Sequence, residues 1–294
     1  MLWVPVTLLA TLAQTGRNAA QAGLTRQIGT AGATQVRFLF GLPFAVLFLA
    51  LVVGFGAEMP PLPGLRSLAF TLMGALAQIG ATALMLVTMK SQSFAVTTAW
   101  LKTEPVLVAL IAWAVLGDPL TLPALAAILV ATAGVLVMTV RPGARLTALG
   151  PALTGLAAAG LFGLSAIGFR GGITSLDHGG QLIRATSTLV ISLAMQSALL
   201  GLWMAVYARP ALRASFGVWR QSLLAGFLGA FASQFWFLGF ALTSAANVRT
   251  LALVEVVLAQ GVSTLIFGQK TSARQLAGMA LIVAGVAGLL RFHS

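Results

Sequence analysis

The sequence predicts an all-α integral membrane protein of ten transmembrane helices, built as two inverted five-helix repeats. Three observations lead there. Of 294 residues, 59% are hydrophobic and only 7% charged, whereas about a quarter of an ordinary water-soluble domain is charged. Apolar runs recur about every 29 residues along the 294, and a helix crossing the hydrocarbon needs roughly 20 residues at ~1.5 Å rise. Finally, residues 101–142 and 251–292 read as two diverged copies of one segment at a single offset of 151 residues, with no gap. Glu104 falls on Glu255, Gly117 on Gly268, Thr121 on Ser272, Leu125 on Leu276 and Gly134 on Gly285. A long repeat carrying an acid inside an apolar run in each copy points to a duplicated membrane transporter.

The elements follow in order. Helix 1 (2–24) opens on an apolar run with no basic leader, and Gln14, Arg17 and Asn18 stand where a signal peptide would place small cleavage-site residues; it is expected to be retained. Helix 2 (33–55) stops at GAEMPPLPG, residues 56–64, which is turn chemistry. Helices 3 (65–89) and 4 (93–116) follow, the latter stopped by Gly117-Asp118-Pro119. Helix 5 (121–140) ends at Arg141-Pro142-Gly143, and helix 6 (147–170) restarts beyond that turn. Helix 7 (179–207) ends at Arg209-Pro210, ahead of helix 8 (217–242). Helix 9 (246–267) ends at Gly268-Gln269-Lys270, and helix 10 (272–291) closes the chain. The first repeat is therefore 1–142 and the second 147–294, each of five helices. After an odd number of crossings the second copy starts on the opposite side, so the copies must run antiparallel.

Loops 1–2, 3–4, 5–6, 7–8 and 9–10 carry nine Lys or Arg, against two to five on the other face. The positive-inside rule then places both termini away from the cytoplasm. The localisation expected is a bacterial cytoplasmic membrane. The net charge of +12 is read as contact with anionic lipid rather than nucleic acid. Cysteine is absent, so neither disulfides nor thiolate metal sites arise. No GxxxxGK precedes any lysine, and no HExxH or paired-carboxylate motif occurs. No metal, cofactor or catalytic residue is expected, and with both halves covalently joined a monomer suffices.

The Thr103-Glu104-Pro105 motif, the stretch Leu116-Gly117-Asp118-Pro119-Leu120-Thr121 and the small-residue helix Ala131-Thr132-Ala133-Gly134-Val135 resemble the drug/metabolite transporter superfamily, specifically its ten-helix EamA-type members. Glu255, Phe267-Gly268-Gln269-Lys270-Thr271 and Ala284-Gly285-Val286 repeat the pattern, with Val256 where the first copy has Pro105. A kink due to Pro105 is thus expected to be missing or displaced in the second copy. The resemblance implies a five-plus-five inverted repeat and a cavity lined by helices 1, 3, 4, 6, 8 and 9. It also implies export of small metabolites, and the nearest likeness is to bacterial aromatic and hydrophobic amino-acid exporters. Other members carry drugs, nucleotide sugars or phosphorylated metabolites, and those substrates stay open. A polytopic membrane enzyme acting on lipid-linked substrates is the reading of another class, against which the five acids stand scattered.

Ionisable groups at membrane depth cost about 2.5–3.5 kcal/mol on insertion scales, so they face protein or water. Glu104 and Glu255 could bind a substrate amine, carry protons or neutralise cations; they could equally lock helices by pairing with arginine. Arg17 is the leading cation because Gln14, Arg17 and Gln21 share one helical face beside Asn18. Arg37, Arg170 and Arg184 lie nearer span edges, where long stems can snorkel. Cations in or near spans, Lys102 and Arg249 among them, outnumber the two acids, which suits an anionic or zwitterionic ligand. Gln78, Ser165, Gln234 and Asn247 supply further mid-depth polar groups, and Trp100 and Trp236 with Phe94, Phe162, Phe235 and Phe237 could line a ring-stacking pocket. The substrate-site residues are therefore Gln14, Arg17, Asn18, Gln78, Trp100, Glu104, Ser165, Gln234, Trp236, Asn247 and Glu255.

Overall fold

The computed structural model describes residues 1–56, 58–91, 100–139, 149–258, 260 and 272–291. Among these there is no strand, and the helices are α1 Trp3–Leu39, α2 Leu42–Gly56, α3 Leu65–Ser91, α4 Glu104–Leu116, α5 Leu122–Thr139 and α6 Leu149–Thr174, then α7 Gln181–Tyr207, α8 Arg209–Gly217, α9 Trp219–Leu242, α10 Ala245–Leu251 and α11 Ala273–Arg291. Among the described residues, six helical segments are long and apolar enough to cross a membrane: Gln27–Gly56, Leu65–Met85, Leu153–Thr174, Gln181–Tyr207, Trp219–Leu242 and Ala273–Arg291. Trp3–Gln14, Glu104–Leu116 and Leu122–Met138 are shorter apolar helices. The turns expected at 141–147 and 268–270, most of helix 9 beyond 258, and Phe94 lie outside the described residues.

The chain divides into two compact units, 1–83 with 164–244, and 84–163 with 245–294. Each takes a piece from both sequence halves, and the boundaries run through α3 and α6. In the first unit the loop expected between helices 1 and 2 shrinks to Gly29, whose φ of 72° and ψ of 176° interrupt α1. That conformation is open almost solely to glycine. Expected helix 2 is instead broken at residues 40–41, just before Pro43, which has no N–H to donate back into the preceding turn. The segment expected as the loop between helices 7 and 8 forms the short helix α8. Glycine lets α3 and α6 meet closely: a Cβ on Gly168 would lie 2.6 Å from the Gly74 nitrogen.

The second unit holds both copies of the ungapped repeat, and its α5 and α11 cross backbone to backbone. A Cβ on Gly134 would sit 2.7 Å from the Gly278 oxygen and 2.7 Å from the Ile282 nitrogen. One on Gly285 would sit 2.6 Å from the Ala127 oxygen and 2.5 Å from the Ala131 nitrogen. Gly285, Gly278 and Ile282 are the repeat mates of Gly134, Ala127 and Ala131, so each contact is made twice with the copies exchanged. That is the signature of a two-fold relation. Partner numbers fall along α11 as they rise along α5, with Gly278 also meeting Met138 and Gly288 meeting Ala127. The two helices therefore run antiparallel, as an inverted repeat requires.

Candidate functional site

In the second unit each acid stands just past a break in its helix. Helical residues 100–101 give way to a turn at Lys102-Thr103 before α4 starts with Glu104, and α10 gives way to a turn at Ala252-Leu253 before helical residues 254–258 carry Glu255. Both breaks are tightened by i→i−3 bonds: the N–H of Thr103 donates to Trp100 O at 3.2 Å, that of Leu253 to Thr250 O at 3.0 Å, and that of Glu255 to Ala252 O at 3.1 Å. The kink expected to be missing or displaced in the second copy is present there without a proline, within one residue of the equivalent place. The shared cause is the tight turn ahead of the acid. A carboxylate in the first turn of the following segment also lies near the positive end of its dipole.

The acids are engaged by cations from the opposite sequence half. Arg249 Nε lies 3.1 Å from Glu104 Oε1, with side chains 13% and 16% exposed. Lys102 Nζ lies 3.4 Å from Glu255 Oε2, with side chains 21% and 22% exposed. The Arg249 Nε–H does not point along its contact, so this pair is held by charge rather than by an aligned hydrogen bond. Each half thus supplies one acid and one cation, although the cations are not repeat mates: the positions equivalent to Arg249 and Lys102 are Thr98 and Leu253. Trp100 and Asn247 belong to this unit as well. The Trp100 Cβ comes within 2.8 Å of where a Gly155 Cβ would stand, so a bare backbone on α6 makes room for the indole. Asn247 is buried in α10.

The first unit gathers Gln14, Arg17, Gln78, Ser165, Gln234 and Trp236. Arg17 and Arg37 lie on either side of the Gly29 break and converge on α9. A Cβ on Gly229 would meet Arg37 Cγ at 3.5 Å and Arg17 Cδ at 3.8 Å. The two arginines are only 6% and 8% exposed. Arg37 therefore does not snorkel, contrary to the edge position read from sequence. Farther along α9, the Trp236 indole N–H donates to Gln14 Oε1 at 3.1 Å, and the Trp236 ring stacks on Phe240 at 6.3 Å between centroids. Ser165 is fully buried. The side chain of Asn18 lies outside the described residues.

The remaining amides turn toward α7. Gln196 Nε2 donates to Gln78 Oε1 at 2.6 Å, and Gln234 Nε2 donates to Thr186 Oγ1 at 2.7 Å. The Thr186 hydroxyl spends its own proton on Leu182 O at 2.8 Å, so it can only accept from Gln234, which fixes that amide's orientation. Gln35 Nε2 adds a third link, to Ser197 O at 3.1 Å. Arg170 donates to the carbonyls of Phe240 and Thr243, closing the C-terminal end of α9, and Arg184 Nη1 reaches Leu176 O at 3.4 Å.

Gln35, Thr186 and Gln196 were not among the residues singled out from sequence, and Arg37 was read there only as an edge cation. Gln35 and Gln196 interrupt apolar runs just as Gln78 does, so the signal was present. It lay on helices 2 and 7, which the family resemblance does not count among the cavity helices. Chemically, the second unit neutralises its acids internally, while the first buries two guanidinium groups suited to a carboxylate or phosphate.

The EamA-like transporter family model matches residues 1–140 and, a second time, residues 149–291. A solved crystal structure 17% identical to the chain superposes with a TM-score of 0.70, over 99% of this chain and 97% of its own; it is similar in fold. No curated protein matches the sequence.

Proposed function

We infer, from the premise that the chain belongs to the EamA-like transporter family, that this membrane transporter of small solutes exports aromatic and other hydrophobic amino acids. The observation that carries the substrate class is the convergence of buried Arg17 and Arg37 on Gly229, beside the Gln14–Trp236 pair. Guanidinium groups recognise carboxylates through paired N–H donors. An aromatic side chain about two turns farther along α9, joined to Gln14 on the helix that carries Arg17, favours a substrate with an apolar body. In the second unit the cations already face acids, so Lys102 and Arg249 add little charge for a ligand, and Glu104 and Glu255 act as pins between the sequence halves.

In this reading the sequence halves 1–142 and 147–294 move as inverted repeats and expose the substrate alternately to each side of a bacterial cytoplasmic membrane. One chain suffices, and both termini face away from the cytoplasm. Two buried guanidinium groups would also suit a phosphate, and this supports a second reading, transport of phosphorylated metabolites.

The test is counterflow of labelled amino acids in proteoliposomes, aromatic and branched apolar ones first, with Arg17→Ala and Arg37→Gln beside the wild-type protein. Exchange of phenylalanine or leucine by the wild-type protein, reduced at least tenfold in each variant, is the expected result. Exchange of phosphorylated solutes alone would put the second reading first.

A further inference from the structure

We propose that α8 and the start of α9 form a binding site for the headgroup of an anionic phospholipid. Sequence alone leaves this stretch as a basic loop, whereas the structure folds it into a helix with two unlike faces. Pro210 stands in the first turn of α8, where its missing N–H costs nothing. The Arg209 Nε donates back to Ala205 O across the junction with α7.

The inner face is fixed. Ala214 and Val218 pack against the core of Leu24, Ile28, Ala33, Val36 and Ala225 at the bend of α1. The buried Ser215 hydroxyl bonds Ala211 O at 3.0 Å, and Ser222 Oγ bonds Ser215 O at 3.0 Å. Held this way, the helix cannot turn its other face inward.

That outer face combines cations with aromatic rings. Arg213 and Arg220 are exposed, and so are Phe216 and Trp219, at 54% and 51%. The Arg220 Cζ lies 5.4 Å from the centre of the Trp219 ring, and Trp219, Arg220 and Gln221 help line a shallow pocket of about 240 Å³. Between Trp203 and Gln221 there are three arginines and no acid. Rings and guanidinium groups displayed together suit the headgroup layer, where apolar bodies sink toward the acyl chains and cations meet phosphate. The charge, undiluted by any carboxylate, selects an anionic lipid over a zwitterionic one.

The test is native mass spectrometry of the full chain released from detergent with phosphatidylglycerol or phosphatidylcholine. Arg213→Gln/Arg220→Gln is compared with Arg213→Lys/Arg220→Lys; Arg209 is kept because it holds Ala205. Two surface charges at ~1 kcal/mol each correspond to about a thirtyfold loss of phosphatidylglycerol retention in the glutamine variant. The lysine variant should retain phosphatidylglycerol, phosphatidylcholine should bind all three proteins alike, and melting temperatures should match. Equal phosphatidylglycerol retention by wild-type and glutamine proteins would overturn the proposal. So would displacement of the lipid by millimolar inorganic phosphate, which would make this a site for the free anion.

Discussion

The two units use buried polarity in opposite ways. In the second, the repeat is symmetric down to single backbone contacts, and its charges are cross-paired between the sequence halves. In the first, three glutamine amides cross-link different helices to α7, and two arginines share one glycine on α9. A unit whose charges neutralise one another is built to hold a shape. One that buries guanidinium groups holds donors whose geometry matches a carboxylate or phosphate. Because each unit draws on both sequence halves, this division of roles follows packing rather than the duplication.

The comparison breaks first, if it breaks, at the glycines. Gly134→Val and Gly285→Val place carbon atoms 2.5–2.7 Å from opposing backbone, a clash that no rotamer relieves. We expect each to cost at least ~3 kcal/mol, read as collapse of the folded peak in size-exclusion chromatography or a large fall in melting temperature. Gly229→Ala in the first unit meets nothing closer than 3.5 Å and should fold normally. Equal damage from Gly229→Ala would erase the distinction.

Next in size are the ion pairs. Removing one partner of an ion pair largely shielded from water costs about 3–5 kcal/mol, reduced here because the side chains are 13–22% exposed. Arg249→Met should destabilise more than the double change Arg249→Met/Glu104→Leu, which removes both charges. If the double variant melts lower than the single one, the pinning role assigned to these residues is wrong.

The amide links come third. Each should be worth about 0.6–1.7 kcal/mol, so Gln234→Leu and Gln196→Leu are expected to lower the melting temperature slightly while leaving substrate selectivity in counterflow unchanged. A change of selectivity with Gln234→Leu would move that residue into the substrate site. The smallest effect is expected from Pro105→Ala. The second copy forms its break with Val256, whose N–H donates to Leu253 O at 3.1 Å, so the first copy should keep its turn without the ring. Unchanged counterflow and a melting temperature within a degree or two would check this.

Much of the second unit was legible because its information is local. The ungapped offset fixed which glycines and acids correspond, and small residues at helical spacing marked the faces able to touch. The kink was misjudged from Pro105, since the i→i−3 turn before Glu255 leaves no mark in residue type. The first unit was harder to read. Gln78 and Gln234 were picked out as mid-depth polar groups, but nothing local says that they turn toward Gln196 and Thr186. Arg37 looked like an edge residue because the Gly29 break, which brings it to Gly229, resembles an ordinary loop glycine in sequence.

By itself, then, the sequence determined the membrane environment, the all-helical class, the duplication and the two acids within apolar runs. Each follows from composition or periodicity, which a one-dimensional string records fully. Only the tertiary structure decided that Glu104 faces Arg249 while Glu255 faces Lys102, that Arg17 and Arg37 meet on one glycine, and that the basic stretch after α7 folds into a two-faced helix. Those outcomes depend on which distant segments share a helix crossing. Where partners lie 145 or 153 residues apart, local spacing cannot choose among the cations available; packing does.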